Sequence, residues 1–488
     1  MDTKKPATAV SRRRFLQTAA GTGGVLVASI LAACGNTPPP TGNTTGATAP
    51  AAAGGSASGP TSAIPPTPVP TPVPDRSAAA GRATTLTIWY PYTNPNWEQI
   101  WKGFEDSQKD IGIKAVFAAN DTTGNAKFFT AVASGTPPDV VWVDGPQVAE
   151  WAARGVLEPL DEQINAAGIK PDDFWTPSWN QTVYNNQIWA LTRSSDANFG
   201  FFWDKDIFKE AGLDPEKPPT TVEEMDQMNE KLAKINSGRI ERLGYIPWIV
   251  YGSSNSMFTW GWVFGGEFYD AQNKKITANN PNIVKALQWM TDFAKKYDPT
   301  QISGFIPGLT SAGGENGPFI KRKVAMAPQG PWEIPTLKQY APDLNYGITF
   351  MPQGPGAEPR QSWVGGWTIG IPKGAKQKDA AFEFVKWITA TDEGTNLGYT
   401  AQGQFPGYKK SPAFTKIQQD PVLKSFYEIL VATKHQRPVM PAQAFYASEL
   451  QRAVDAAIYG QKTPQQALDD ATTATQKELD RILKEGVQ

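Results

Sequence analysis

The 488-residue chain holds one cysteine, Cys34, and one histidine, His435. Beyond Cys34 no disulfide can form, which a large body tolerates because its core stabilises itself. A zinc site built on several histidines or cysteines is excluded. A Ser-His-Asp triad would have to use His435, in KHQRP, and no G-x-S-x-G elbow is present. His435 reads as a surface or hinge residue. There is no G-x-x-x-x-G-K-[ST] loop and no G-x-G-x-x-G. The stretch GLTSAGGENG at 308–317 lacks the P-loop lysine. An excess of positive charge is missing too: 46 basic residues stand against 47 acidic, a net of −1, without the basic stripe that nucleic acid requires. No cofactor or metal is expected. Paired carboxylates remain available, so glycoside hydrolysis stays open as a competing reading.

Long apolar runs are scarce as well. Between Thr18 and Ala33 the uncharged run is shorter than the ~20 residues a spanning helix needs. It follows Ser11-Arg12-Arg13-Arg14-Phe15-Leu16 and ends at Leu31-Ala32-Ala33-Cys34, the pattern of an export signal. The first motif resembles a twin-arginine signal and the second the lipobox of bacterial lipoproteins, which implies a lipid on Cys34 holding the chain at a membrane. From Gly35 to Pro74 no residue is charged, and the run ends in PPTPVPTPVP. Such a stretch buries too little to fold and reads as a disordered tether. The expected organisation is therefore a signal peptide over 1–33, a tether over 34–82 and a body of two domains or more.

In the body, Leu86–Tyr90, Ile113–Phe117 and Asp139–Val143 read as strands. The helices between them carry Trp97, Ile100, Trp101 and Phe104 at i, i+3, i+4, i+7, after an Asn94-Pro95 N-terminus. Alternation of this kind predicts parallel βαβ units. Further strands are expected at 188–191, 198–203, 324–327, 346–350 and 368–371. Capping boxes at Thr221 and Thr463 open helices, and the end of the chain is mostly helical. The strand near 368, so far from the first three, predicts a chain that crosses between two lobes more than once.

Tryptophan is what the body has in surplus. All 17 lie between Trp89 and Trp387. Trp97, Trp101, Trp289 and Trp387 sit at helical spacing and read as core. Trp260 and Trp262 (FTWGWVFGG), Trp332 (PQGPWEIP), and Trp363 and Trp367 (QSWVGGWTIG) are flanked by Gly and Pro, which predicts turns. Indole faces presented on turns suit the C–H face of a pyranose. The plain alternative is that every one of them is core.

Eight stretches in order carry a resemblance that covers 84–486. They are ASGTPPDVVWVD, RGVLEPLDE, NQIWALTRSSDANFGFFWDKDIFKEAGLD, FGGEFYD with KVAMAPQGPWE, VGGWTIGIPKGAK, QGQFPGYKKSP, and RPVMPAQAFYASELQRAVDAAIYGQKTPQQALDDA. Together they resemble the extracellular solute-binding proteins of ABC importers, the group that includes maltose-binding protein. The resemblance implies an α/β, two-lobed, type II periplasmic-binding-protein-like fold. Its lobes are discontinuous and joined by hinge crossovers: 83–195 plus 350–390, and 196–349 plus 391–488. It implies a monomeric receptor, not an enzyme, that binds a neutral mono- or oligosaccharide in the cleft and delivers it to a permease. It nominates as ligand contacts Tyr92, Asn94, Asp144, Gln147, Asp196, Trp260, Trp262, Trp332, Gly366, Trp367, Tyr408, Arg437 and Tyr446. Tyr408 stands where relatives often carry arginine, which speaks against an anionic ligand.

Overall fold

The computed structural model describes residues 75–92, 96–119, 122–306 and 315–485. Cys34, the leader, the tether to residue 74 and Asn94 lie outside the described residues.

The strand Thr84–Tyr90 pairs in parallel with Ile111–Phe117 along its whole length and with Val140–Asp144 on its other edge. Trp367–Gly370 then joins Val140–Asp144 antiparallel, and Leu191–Thr192 closes the sheet outside it. Side chains alternate across a strand, and this explains the two faces. Leu86, Ile88 and Tyr90 pack on one side with Trp97, Trp101 and Phe104 of the helix Trp97–Ser107. Val141 and Val143 point to the other side, against Phe128 and Trp151, with Trp89 beside them. The helix begins at Trp97 with Asn96 as its capping position, later than a proline-95 first turn would place it.

A second core is built on the antiparallel sheet of Met326–Gln329, Gly200–Asp204 and Tyr346–Thr349. Its helices include Ser253–Val263, Pro281–Tyr297, Gln443–Ile458 and Pro464–Glu485. Asp204 caps the helix Lys205–Glu210 by accepting from the Asp206 and Ile207 amides at 3.0 and 2.9 Å. The capping box at Thr463 is reciprocal: the Gln466 amide donates to Thr463 Oγ1, and the Thr463 amide donates to Gln466 Oε1, both at 3.2 Å. At Thr221 only half of the box forms. Thr221 Oγ1 accepts from the Glu224 amide, but the Glu224 carboxylate reaches the amide and hydroxyl of Thr220 instead.

Three crossing segments join the two cores as a small sheet. Trp363–Gly365 pairs antiparallel with Asp196–Asn198 and parallel with His435–Gln436. His435 thus belongs to the hinge, where it stacks on Trp262 at 5.4 Å. The chain leaves this sheet at Phe199 into Gly200–Asp204 and at Gly366 into Trp367–Gly370.

Two lobe boundaries differ from those expected. Met351, Trp363 and Val364 pack in the second core, so 350–364 does not belong with lobe one. The helix Asp392–Gln402 packs on Trp97–Ser107 and on Lys378–Ala390, and Ala401 lies in the first core. Gly103 leaves room there for Leu397, since a Cβ would fall 2.3 Å from the leucine side chain, and local sequence pattern carries no sign of a partner some 300 positions away.

Candidate functional site

The crossing at Gly366 gathers a buried polar group. A Cβ on Gly366 would lie 2.0 Å from the Ser194 carbonyl oxygen, and its φ is +142°, so only glycine fits there. The backbones interlock: Arg193 N and Ser194 N donate to Trp367 O at 2.8 and 3.2 Å, and Gly145 N donates to Gly366 O at 3.1 Å. Trp367 N in turn donates to Ser194 Oγ at 3.1 Å.

This backbone places Asp196, 3% exposed, beside Arg193, 4% exposed. Asp196 Oδ2 accepts from Ser194 Oγ at 3.2 Å and from Gln404 Nε2 at 3.3 Å. Its Oδ1 has no hydrogen-bond partner among the described residues, and the Phe405 amide acts on the carboxyl as a whole. Burial pushes the carboxyl up to about 7, with the Arg193 charge opposing. Burial also pulls the Arg193 guanidinium down, against the pull of Tyr92 and Asp196. Arg193 donates to Gln404 Oε1 and, at 3.1 Å, to Gly398 O, and lies over the Trp97 ring at 5.2 Å. Tyr92 stacks on Trp97 at 4.9 Å, meets Trp367 edge-on at 5.6 Å and donates to Gln404 Oε1 at 3.3 Å. Its hydroxyl is raised well above the usual phenol range by burial.

Nearby, the end of the third strand meets the chain after the hinge. Arg437 donates to Asp144 Oδ1 at 2.6 Å and lies over the Trp363 ring at 5.3 Å. Arg437 Nε and Gln147 Oε1 are buried with no hydrogen-bond partner among the described residues. Orphaned buried polar atoms are rare enough to call for an explanation.

On the second lobe Trp332, partly buried, donates from Nε1 to the Tyr251 hydroxyl at 2.6 Å. Phe199, at the crossover, lies edge-on to Trp332 at 6.2 Å. The Asp196 charge lies near enough to act on both the Tyr92 and Tyr251 hydroxyls, raising each further.

Of the nominated residues, Tyr92, Asp196, Gly366 and Trp367 therefore come together, Asp144, Gln147 and Arg437 lie at the adjoining strand end, and Trp332 lies on the other lobe against Tyr251 and Phe199. Three do not join. Trp260 and Trp262 are 1% and 2% exposed inside the helix Ser253–Val263, not in a turn. Gly261 between them is there because a Cβ would sit 2.3 Å from the Phe268 ring. Trp260 Nε1 donates to Pro247 O at 2.8 Å, and Trp262 is packed against Phe258, Phe268, Trp363 and His435. Tyr446 is fully buried and donates to Phe268 O at 2.8 Å. Trp363 is core as well, with Nε1 on Thr259 Oγ1 at 3.0 Å. Tyr408 packs on Phe174 at 5.9 Å and makes none of the polar contacts of the group. The sequence reading missed Arg193, Gln404 and Tyr251. The first two lie within quoted stretches, TRSSD and QGQFPG, among other polar residues that do not mark them out.

Comparison with known proteins follows from this geometry. Residues 90–395 match the family described as bacterial extracellular solute-binding protein. The chain is 25% identical over 423 residues to the sn-glycerol-3-phosphate-binding periplasmic protein UgpB of Pectobacterium atrosepticum, covering 81% of this chain and 91% of that one. It is 22% identical over 404 residues to the galactooligosaccharide-binding protein of Bacillus subtilis, covering 78% and 89%. The solved structure of CpMnBP1 with mannotriose bound matches with a TM-score of 0.73 at 31% identity, over 80% of this chain and 100% of that one. The chain belongs to the bacterial extracellular solute-binding protein family, with the two-lobed type II fold of its maltose-binding-protein-like members. The family and these relatives are binding proteins, not enzymes.

Proposed function

We propose that this protein is a monomeric, lipid-anchored receptor that takes up an uncharged saccharide between its lobes and delivers it to an ABC permease. The observation that carries the choice of ligand is charge compensation. Both arginines of the site already have a carboxylate: Arg437 is bonded to Asp144 at 2.6 Å, and Arg193 faces Asp196. A phosphate would have to displace a carboxylate from a largely buried arginine, leaving that carboxylate uncompensated at a cost of several kcal/mol. Hydroxyl groups ask for less. They supply donors to Asp196 Oδ1 and Gln147 Oε1, while Tyr92, Trp367 and Trp332 offer ring faces or edges to the sugar's C–H surface. The mannotriose-bound and galactooligosaccharide-binding relatives agree with this reading.

A second reading has one observation in its favour, the 25% identity to a glycerol-3-phosphate-binding protein. In that case Arg437 would leave Asp144 for the phosphate. Calorimetric titration with mannotriose and galactooligosaccharides, and in parallel with sn-glycerol 3-phosphate, separates the two. Binding heat is expected only with the saccharides.

The anchor rests on the sequence, and among the described residues no helix is long and apolar enough to cross a membrane. Cys34→Ser is expected to move the protein from the membrane fraction to the soluble one. Retention of the variant at the membrane would disprove the lipid on Cys34.

A further inference from the structure

We infer that Tyr251 is the positioning residue that fixes the indole of Trp332 for stacking. This inference rests on the proposal that Trp332 is a ligand platform.

The hydrogen bonds have a fixed direction. An indole N–H can only donate, so the Tyr251 oxygen must accept from Trp332 Nε1, at 2.6 Å. The single phenolic proton is then left for Gln329 Oε1, at 3.2 Å. Gln329 is buried and ends the strand Met326–Gln329, where it pairs with Gly200. The relay therefore runs from the platform into the sheet of the second lobe at the residue where the chain enters from the hinge.

Packing fixes the same ring from other directions. Phe199, between the hinge strand and Gly200, stacks on Tyr251 at 5.4 Å with the planes 7° apart. Tyr251 meets Trp332 edge-on at 5.4 Å and 79°. The six-membered ring of Trp332 lies against Gly330, where a Cβ would fall 2.1 Å from it. Tyr251 is itself delivered by a left-handed turn: its φ is +51°, the next residue Gly252 has +92°, and Asn255 Nδ2 donates to the Tyr251 carbonyl at 2.9 Å. Burial, with Glu333 nearby, holds the hydroxyl well above the usual phenol range, so it stays protonated and able to bridge.

A platform held before binding does not lose its rotamer freedom on binding. Releasing it should weaken affinity by about two- to tenfold, the scale of ordering one side chain. The experiment is ¹⁹F NMR of the full chain labelled with 5-fluorotryptophan, with the Trp332 signal assigned by its loss in Trp332→Phe. In ligand-free Tyr251→Phe the Trp332 signal should shift and broaden, while signals of tryptophans outside this aromatic group hold their positions. Mannotriose affinity should fall two- to tenfold. Gln329→Leu, which keeps the Tyr251 hydroxyl but removes its anchor, should give a smaller change of the same kind. A sharp, unmoved Trp332 signal in Tyr251→Phe overturns the inference. If that signal moves as expected but saccharides leave it unperturbed in the wild-type protein, the platform reading fails and the positioning role stands.

Discussion

Trp332→Ala is expected to weaken saccharide binding by about 1–3 kcal/mol, roughly five- to 150-fold, with little change in thermal stability. The two halves of this expectation have separate causes. Trp332 is partly exposed, rests on a glycine and touches its neighbours by edges, so its removal costs the free fold little. Its ring is a large, partly exposed apolar surface on the second lobe, and a ligand that covered it would lose that contact. Trp260→Ala provides the contrast. Trp260 is 1% exposed, packed on Trp289 with its indole N–H on the Pro247 carbonyl, so its loss should cost about 3–5 kcal/mol of stability. Calorimetry and thermal denaturation of the two variants check both statements. Wild-type affinity in Trp332→Ala would make this ring packing and nothing more.

The second large effect is on pH dependence. Burial pushes the Asp196 carboxyl up to about 7 from the usual 3.8. Saccharide hydroxyls donate to the ionised carboxylate, so binding favours the deprotonated form. Affinity should be level above pH 7 and fall below it, approaching about tenfold per pH unit. The stability of the ligand-free fold runs the opposite way. The folded state holds this proton more tightly than the unfolded chain does. This group's contribution is therefore fully present below about pH 4 and is lost as the pH rises toward 7. Asp196→Asn should abolish the pH dependence of affinity while lowering its plateau. A wild-type affinity that is flat between pH 5.5 and 8 would remove Asp196 from the ligand contacts.

Particular elements show how far the sequence could be read. Alternation at Leu86, Ile88 and Tyr90 and helical spacing at Trp97, Ile100, Trp101 and Phe104 are local signals, and the first βαβ units followed from them. So did the need for a returning strand near 368, since it had no local partner; it pairs with Val140–Asp144. Glycine beside tryptophan was ambiguous. At Gly366 it marks a backbone crossing, while at Gly261 it makes room in a helix for Phe268. Only the tertiary neighbour distinguishes the two. The Tyr251–Trp332 bond spans 81 residues, and the Arg193–Gln404 contact spans 211. No periodicity encodes such pairs. Arg193 and Gln404 become visible as site residues only when the crossing strands bury them beside Asp196.

The charge-compensated hinge group makes one claim that a single measurement meets directly: this receptor accepts uncharged polyols and refuses phosphate. The measurement is parallel calorimetric titration of the purified protein at pH 7.5 with mannotriose, galactooligosaccharides and sn-glycerol 3-phosphate. Saturable binding of a saccharide, with no heat from glycerol 3-phosphate, is the predicted result. Saturable binding of glycerol 3-phosphate with all saccharides inert would contradict it.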